Sequence, residues 1–244
     1  MLGGTTEASD LARALADRGH DAIFSYAGRT GNPAGQPLPT RVGGFGGVDG
    51  LVEYLKAEAI THVVDATHPF AAEISANAVR ACARTGVALA AFERPQWQVG
   101  KGDAWIRVAD IAAAVAALPE TGARVFLAIG KQHIGEFAPK SGNFYLLRLV
   151  DPPKGPLPLP DAHAVIARGP FDLAGDTDLM QAHRISHVVA KNSGGAGAEA
   201  KITAARVLGL PVIMIDRPAL PGRHVLDSVD AVLRWLGHEA DRGV

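Results

Sequence analysis

Residues 60–95 and 185–218 read as two copies of one unit, and that duplication limits the fold more than any other feature of the chain. The first copy runs Ile60-Thr61-His62-Val63-Val64-Asp65, then Ala66-Thr67-His68-Pro69-Phe70 and an alanine-rich helical stretch. It closes on the apolar run 87–92 and Glu93-Arg94-Pro95. The second runs Ile185-Ser186-His187-Val188-Val189-Ala190, then Lys191-Asn192-Ser193-Gly194-Gly195 and a similar helix. It closes on the apolar run 211–215 and Asp216-Arg217-Pro218. Each copy is a buried strand, a polar loop, a helix and a second buried strand ending in an acid, an arginine and a proline. In open α/β sheets, ligands bind beyond the carboxyl ends of the strands. Two such halves predict a cleft with Asp65–Phe70 on one wall and Lys191–Gly195 on the other, which is the layout of an enzyme rather than a scaffold.

A chain of 244 residues accommodates two domains of about 110–130 residues each. Its 48% hydrophobic content and mean hydropathy of +0.11 are ample for buried cores. No apolar run reaches the ~18–20 residues of a bilayer span, and the N-terminus lacks the basic and apolar regions of a signal peptide. A single cysteine, Cys82, rules out an intrachain disulfide and reads as a small buried apolar residue. These features predict a cytoplasmic protein with no membrane partner. A net charge of −1 argues against nucleic-acid binding by a general basic surface. Any anionic ligand must therefore be met by locally placed Arg and Lys. Monomer and homo-oligomer are both open.

Runs rich in Val, Ile, Leu and Phe alternate with alanine-rich stretches, the mark of an α/β fold with mostly parallel sheets. The pattern predicts strands at 22–26, 62–66, 87–92, 123–129, 144–150, 163–167, 186–190 and 211–215. It predicts helices at 6–18, 48–58, 70–85, 109–117, 172–183, 196–208 and 227–237. Pro119 ends the helical run 111–118, which sets the expected domains at 1–118 and 119–244. With five prolines and a glycine, Asp151–Pro160 reads as a stiff surface loop.

The chain opens Met1-Leu2-Gly3-Gly4-Thr5-Thr6-Glu7-Ala8 ahead of a helical pattern. Gly3, Gly4, Thr5, Thr6 and Glu7 fit a turn whose backbone N–H groups approach a phosphate at a helix N-terminus. An ordinary helix cap would use Thr5 or Thr6 in the same way. The next predicted strand leads into Ser25-Tyr26-Ala27-Gly28-Arg29-Thr30, a tip without a carboxylate. An acid there would hold a ribose 2′-hydroxyl, whereas an arginine accommodates a 2′-phosphate. Ser25, Arg29 and Thr30 thus favour NADPH over NADH. Gly43 and Gly44, in Gly43-Gly44-Phe45-Gly46-Gly47, permit either close backbone approach to a ligand or a tight turn before a helix. Ala66 and Thr67 lie at the strand end where a nicotinamide would sit. Asp65 and His68 are the titratable candidates for proton transfer, although Asp65 equally suits fixing the loop.

In the second half Lys131, Arg168 and Lys191 each follow a predicted strand, and Asn192, Ser193 and Gly194 continue the last of these loops. A lone basic residue would be a solvated charge. Three at equivalent strand ends point to an anion-binding rim, with Arg148 a weaker fourth candidate. No metal-ligand spacing, nucleophile elbow or Walker loop is present, and His62 and His187, at matching repeat positions, read as structural.

Together Gly3–Ala8, Asp65–Phe70, Gly130-Lys131, Ala167-Arg168-Gly169-Pro170-Phe171 and Lys191–Gly195 resemble the precorrin-6A reductase family of cobalamin biosynthesis. The likeness covers nearly the whole chain. It implies two Rossmann-like domains with a substrate between them, and NADPH-dependent reduction of one double bond of a tetrapyrrole macrocycle, precorrin-6A to precorrin-6B. A macrocycle ringed by carboxylates gives Lys131, Arg168 and Lys191 a task. Cobalt-precorrin-6A, a smaller cyclic imine, or cofactor binding by a sensor without turnover are the alternatives. One departure stands out: only Met1 and Leu2 precede Gly3, where a strand of about five residues is expected. The sequence therefore predicts a first strand that is incomplete, from an upstream start or from replacement.

Overall fold

The computed structural model describes residues 1–28, 34–153 and 155–240. It divides into two compact units, Met1–Pro95 with Ala219–Val244, and Gln96–Pro218.

The first unit is a parallel sheet built from β1 (Phe24–Tyr26), β2 (Thr40–Val42), β3 (His62–Asp65), β4 (Ala88–Phe92) and a late strand, His224–Leu226. Its centre is the start of the chain. Leu2 bridges Ser25 on one side and Asp65 on the other, both in parallel. The N–H of Leu2 donates to the Val64 carbonyl, and that of Gly3 to the Ser25 carbonyl, at 2.9 Å each. Met1–Gly3 thus occupies the first-strand position that the sequence left unfilled. Taken with this segment the order is β2, β1, Met1–Gly3, β3, β4, His224–Leu226, which is the 3-2-1-4-5-6 winding of a dinucleotide-binding sheet.

Helices cover both faces. In α1 (Thr6–Asp17), Ala8, Leu11, Ala12 and Leu15 recur at helical spacing and bury one stripe against Phe24, Val64 and Ala66. The last helix, Val229–Ala240, joins that face through Val232. On the other face α2 (Gly47–Ala57) and α3 (Ala72–Thr85) pack Leu51, Val52 and Leu55 against Ala78, Ala81 and Cys82. Burial, with the charge of Asp65 adding to it, pushes the Cys82 thiol up to about 11. That thiol is packing material, as expected.

The second unit has six parallel strands: β5 (Ala104–Val108), β6 (Thr121–Ala128), β7 (Gly142–Leu149), β8 (Ala162–Ile166), β9 (His187–Lys191) and β10 (Pro211–Ile215). They lie in the order β5-β10-β9-β6-β7-β8. One face is covered by α5 (Leu173–Ala182) and α6 (Ala200–Val207), through Met180, Ile202, Ala204 and Ala205. The other carries α4 (Ile111–Ala117) and a 3₁₀ segment, Lys131–Lys140, whose Phe137 meets Tyr145 edge-on.

The division differs from the expected boundary at 118/119. Both β5 and α4 follow β4 in the chain, yet β5 pairs with β10 in the second sheet. The late strand, β11 (His224–Leu226), follows β10 yet pairs with β4 in the first. Each unit therefore takes its sixth strand, and the helix after it (α4, or α7, Val229–Ala240), from the segment that follows the other unit's fifth strand. Among the described residues, no helix is long and apolar enough to cross a membrane.

Candidate functional site

In a sheet of this winding, the strand order reverses between the first strand and the fourth, and the loops leaving those two strands diverge around a crevice. In the first unit the reversal lies between Met1–Gly3 and β3. A Cβ on Gly3 would fall 2.1 Å from the Phe24 ring, so any larger residue there must displace the ring or the turn. Gly4 has φ +138°, and apart from its chain neighbours no described residue lies within 4 Å of where its Cβ would be. Thr5 caps α1: its hydroxyl accepts from the Ala8 N–H at 3.0 Å and donates to the Ala66 carbonyl at 3.1 Å. One side chain thus ties the glycine turn to the loop after β3. An open, glycine-turned backbone at the start of a 12-residue helix fits a dinucleotide pyrophosphate. Thr6 is exposed in the first turn. The Glu7 carboxylate is bound by Arg94 at 2.9 and 3.1 Å, which makes Glu7 a brace between α1 and the end of β4.

The loop after β3 is set by Asp65, which is buried. It accepts from the Thr67 hydroxyl at 2.7 Å and the Thr67 N–H at 3.2 Å, while that hydroxyl also contacts Ser75. These bonds fix the loop, one of the two roles the sequence allowed for Asp65. His68 is exposed, and its Nδ1 accepts from the Phe70 N–H at 3.2 Å, so the neutral ring carries its proton on Nε2.

At the tip of β1, Ser25 is buried and pairs in register with Arg41. Arg41 donates from Nη1 to the Ser25 hydroxyl and to the Gly43 carbonyl at 2.9 Å each, and from Nη2 to the Gly44 carbonyl at 3.2 Å. Gly43 and Gly44 are thus joined to the β1 tip through a residue outside the sequence-predicted set. The signal for it is an arginine two residues before a glycine-rich loop. Arg29 and Thr30 lie outside the described residues.

In the second unit the order reverses between β6 and β9, and the loops bearing Lys131 and Lys191 leave these neighbouring strands. Lys131 is exposed just after Gly130, whose φ is +80°. Burial pulls the Lys191 ammonium below its ordinary range, and the charge of Glu136 opposes that pull. Arg168 is exposed at the end of β8, the edge strand, 3.8 Å from Asp151. The sheet brings Lys131 and Lys191 to one switch point and leaves Arg168 two strands beyond.

Two residues of the expected rim are engaged within the protein. Arg148 and Asp176 form an ion pair at 2.5 Å with both side chains buried, and the guanidinium stacks on Phe171. Asn192 is 3% exposed. Its side-chain oxygen accepts from the Trp97 N–H at 2.9 Å, and its amide donates to the Trp97 carbonyl at 3.1 Å. Both polar atoms bond the protein's own backbone, so the side chain braces the loop. Arg217 completes the brace, donating to the carbonyls of Asn192 and Ser193 at 3.1 and 3.0 Å. Ser193 and Gly194 are buried in the same loop, with Gly194 at φ +68°.

Fold and site together are those of a two-unit α/β protein: one sheet with the winding of dinucleotide-binding folds, and a second parallel sheet with Lys131 and Lys191 at its switch point. Within that class the chain belongs to the precorrin-6x reductase family CbiJ/CobK, whose model matches residues 1–237. It is 66% identical over 243 residues to precorrin-6A reductase of Rhodobacter capsulatus, covering 100% of this chain and 96% of that one. It is 46% identical over 239 residues to precorrin-6A reductase of Rhodococcus erythropolis, covering 97% and 96%. A solved structure of CobK precorrin-6A reductase superposes with a TM-score of 0.93 at 66% identity, covering 100% of this chain and 96% of that chain.

Proposed function

We propose that this protein reduces one double bond of precorrin-6A to give precorrin-6B, with NADPH as electron donor, in the cytoplasmic synthesis of cobalamin. The observation that carries the substrate is the 66% identity, over the whole chain, to a precorrin-6A reductase. NADPH bound to the first unit supplies the hydride. Gly3, Gly4, Thr5 and Thr6 hold its pyrophosphate at the start of α1, while Ser25, Arg29 and Thr30 take the 2′-phosphate end. Gly43 and Gly44 let the backbone approach it closely, and Ala66, Thr67 and His68 line the nicotinamide end. Lys131, Arg168 and Lys191 pair with carboxylates of the macrocycle, and the loop of Ser193 and Gly194, braced by Asn192, shapes the same edge. The protein would contribute mainly orientation of the hydride donor and its acceptor. Asp65 acts by holding Thr67.

The test is loss of precorrin-6A absorbance on mixing with enzyme and NADPH, with NADH and cobalt-precorrin-6A as parallel arms. NADPH-dependent bleaching of the metal-free substrate, weakened in Arg29→Ala, is the expected result. Cofactor binding without turnover of either macrocycle overturns the reductase reading, and equal rates with NADH overturn the cofactor assignment.

A further inference from the structure

We infer that Arg41, presented by Ser25, is a residue that, beside Arg29, distinguishes the 2′-phosphate of the dinucleotide from a bare 2′-hydroxyl. This inference rests on the NADPH reading and names a specificity residue within it. The position is the first ground. Ser25 stands on the strand next to Met1–Gly3, about 20 residues past the glycine turn, where a dinucleotide-binding sheet keeps the group that reads the ribose. Arg41 is its register partner on the next strand.

Pre-organisation is the second ground. Bonds to Ser25, Gly43 and Gly44 fix the guanidinium, whose carbon also lies 3.9 Å from the Phe45 ring centroid. Those three bonds use both Nη1 hydrogens and one on Nη2. The Nε–H and the second Nη2 hydrogen take no partner among the described residues. Two such donors on one planar group match two oxygens of a phosphate.

Charge is the third. No carboxylate among the described residues pairs with Arg41, whereas Arg94, Arg107, Arg148, Arg206 and Arg223 all have one. A cation fastened only by neutral carbonyls and a hydroxyl keeps its full charge for a dianionic ligand.

The experiment is equilibrium titration of NADPH, NADH, 2′,5′-ADP and 5′-AMP against the full chain and the variants Arg41→Ala, Arg41→Lys and Ser25→Asp, with thermal unfolding recorded for each. Arg41→Ala is expected to weaken NADPH and 2′,5′-ADP by roughly ten- to a hundredfold, the range of a charge-assisted hydrogen bond, while NADH and 5′-AMP change by less than about twofold. Arg41→Lys should fall between, because a point charge replaces a fork. Ser25→Asp leaves the arginine in place but neutralises it, and is expected to lose NADPH selectively. Equal losses for phosphorylated and unphosphorylated ligands would make Arg41 only a brace for the Gly43–Gly44 loop and overturn the inference. So would full retention of NADPH preference in Arg41→Ala and Ser25→Asp. If Arg41→Ala does not fold, Arg41→Lys and Ser25→Asp decide by the same criterion. A wild type that binds NADPH and NADH alike ends the NADPH reading itself, an outcome visible before any variant is made.

Discussion

The Asn192 side chain satisfies the backbone N–H and carbonyl of Trp97 from a position almost closed to solvent. Asn192→Ala would leave both groups buried without partners, so a loss of about 2–4 kcal/mol is expected in urea unfolding. Unchanged stability with lost macrocycle affinity would return Asn192 to the role of ligand. Nothing in the one-dimensional pattern separates these roles: asparagine in a glycine-rich loop serves equally well as ligand or strut, and Trp97 lies 95 residues away in sequence. Asp65 is ambiguous in sequence for the same reason, and its burial and its bonds to Thr67 become visible only in the fold. His187, by contrast, is legible as structural from its repeat position inside a strand. Burial holds its imidazole below the ordinary 6.5. As pH falls below that value the unfolded chain takes the proton first, so protonation favours unfolding. Its stabilising share is full above 6.5 and is lost through the window below it. His187→Gln is therefore expected to shallow the acid side of the Tm–pH curve, scanned from about pH 7.5 to pH 5. An identical slope in both proteins would exclude His187 as a contributor.

Strands rich in Val, Ile, Leu and Phe are legible in the sequence to within a residue or two because burial on both faces writes a continuous apolar run. The elements that escape are of another kind. β2 and β11 span three residues each, with mostly exposed positions, and β5 is an edge strand with exposed Ile106 and Arg107. The 3₁₀ segment Lys131–Lys140 contains Gly135 and Pro139, which break any helical periodicity. The first strand escapes because bonds to β1 and β3, rather than its own length, define it. The joint between that segment and α1 depends on contact between Gly3 and the Phe24 ring. Gly3→Ala must displace the ring or the turn, and a loss of about 1–3 kcal/mol is expected from such overpacking. Nucleotide affinity should fall with it if, as proposed, the displaced turn holds the pyrophosphate. Calorimetry with and without NADPH separates the two effects. A variant with wild-type Tm would show that the Phe24 ring yields freely.

Repeats in sequence invite a cut between the copies, and for this chain that cut falls in the wrong place. After each acid-Arg-Pro triplet, Glu93-Arg94-Pro95 and Asp216-Arg217-Pro218, the chain passes into the other unit and there supplies its sixth strand. Periodicity reports the elements of each copy but not their partners, so 118/119 has the look of a boundary although β5 and α4 already belong to the second unit. Two fragments expose the difference. Residues 96–218 contain all six strands of one sheet, helices on both its faces and the Asn192–Trp97 brace, and they are expected to unfold in one cooperative urea transition. Residues 1–118 carry β5 without β10, and lack β11 beside β4 and Val232 against the Ala8–Leu15 stripe of α1. With that edge unpaired and that stripe uncovered, they are expected to aggregate or to melt without a sharp midpoint. A cooperative 1–118 fragment beside a disordered 96–218 fragment would restore the division between the copies and show that the sixth strands add little to either sheet.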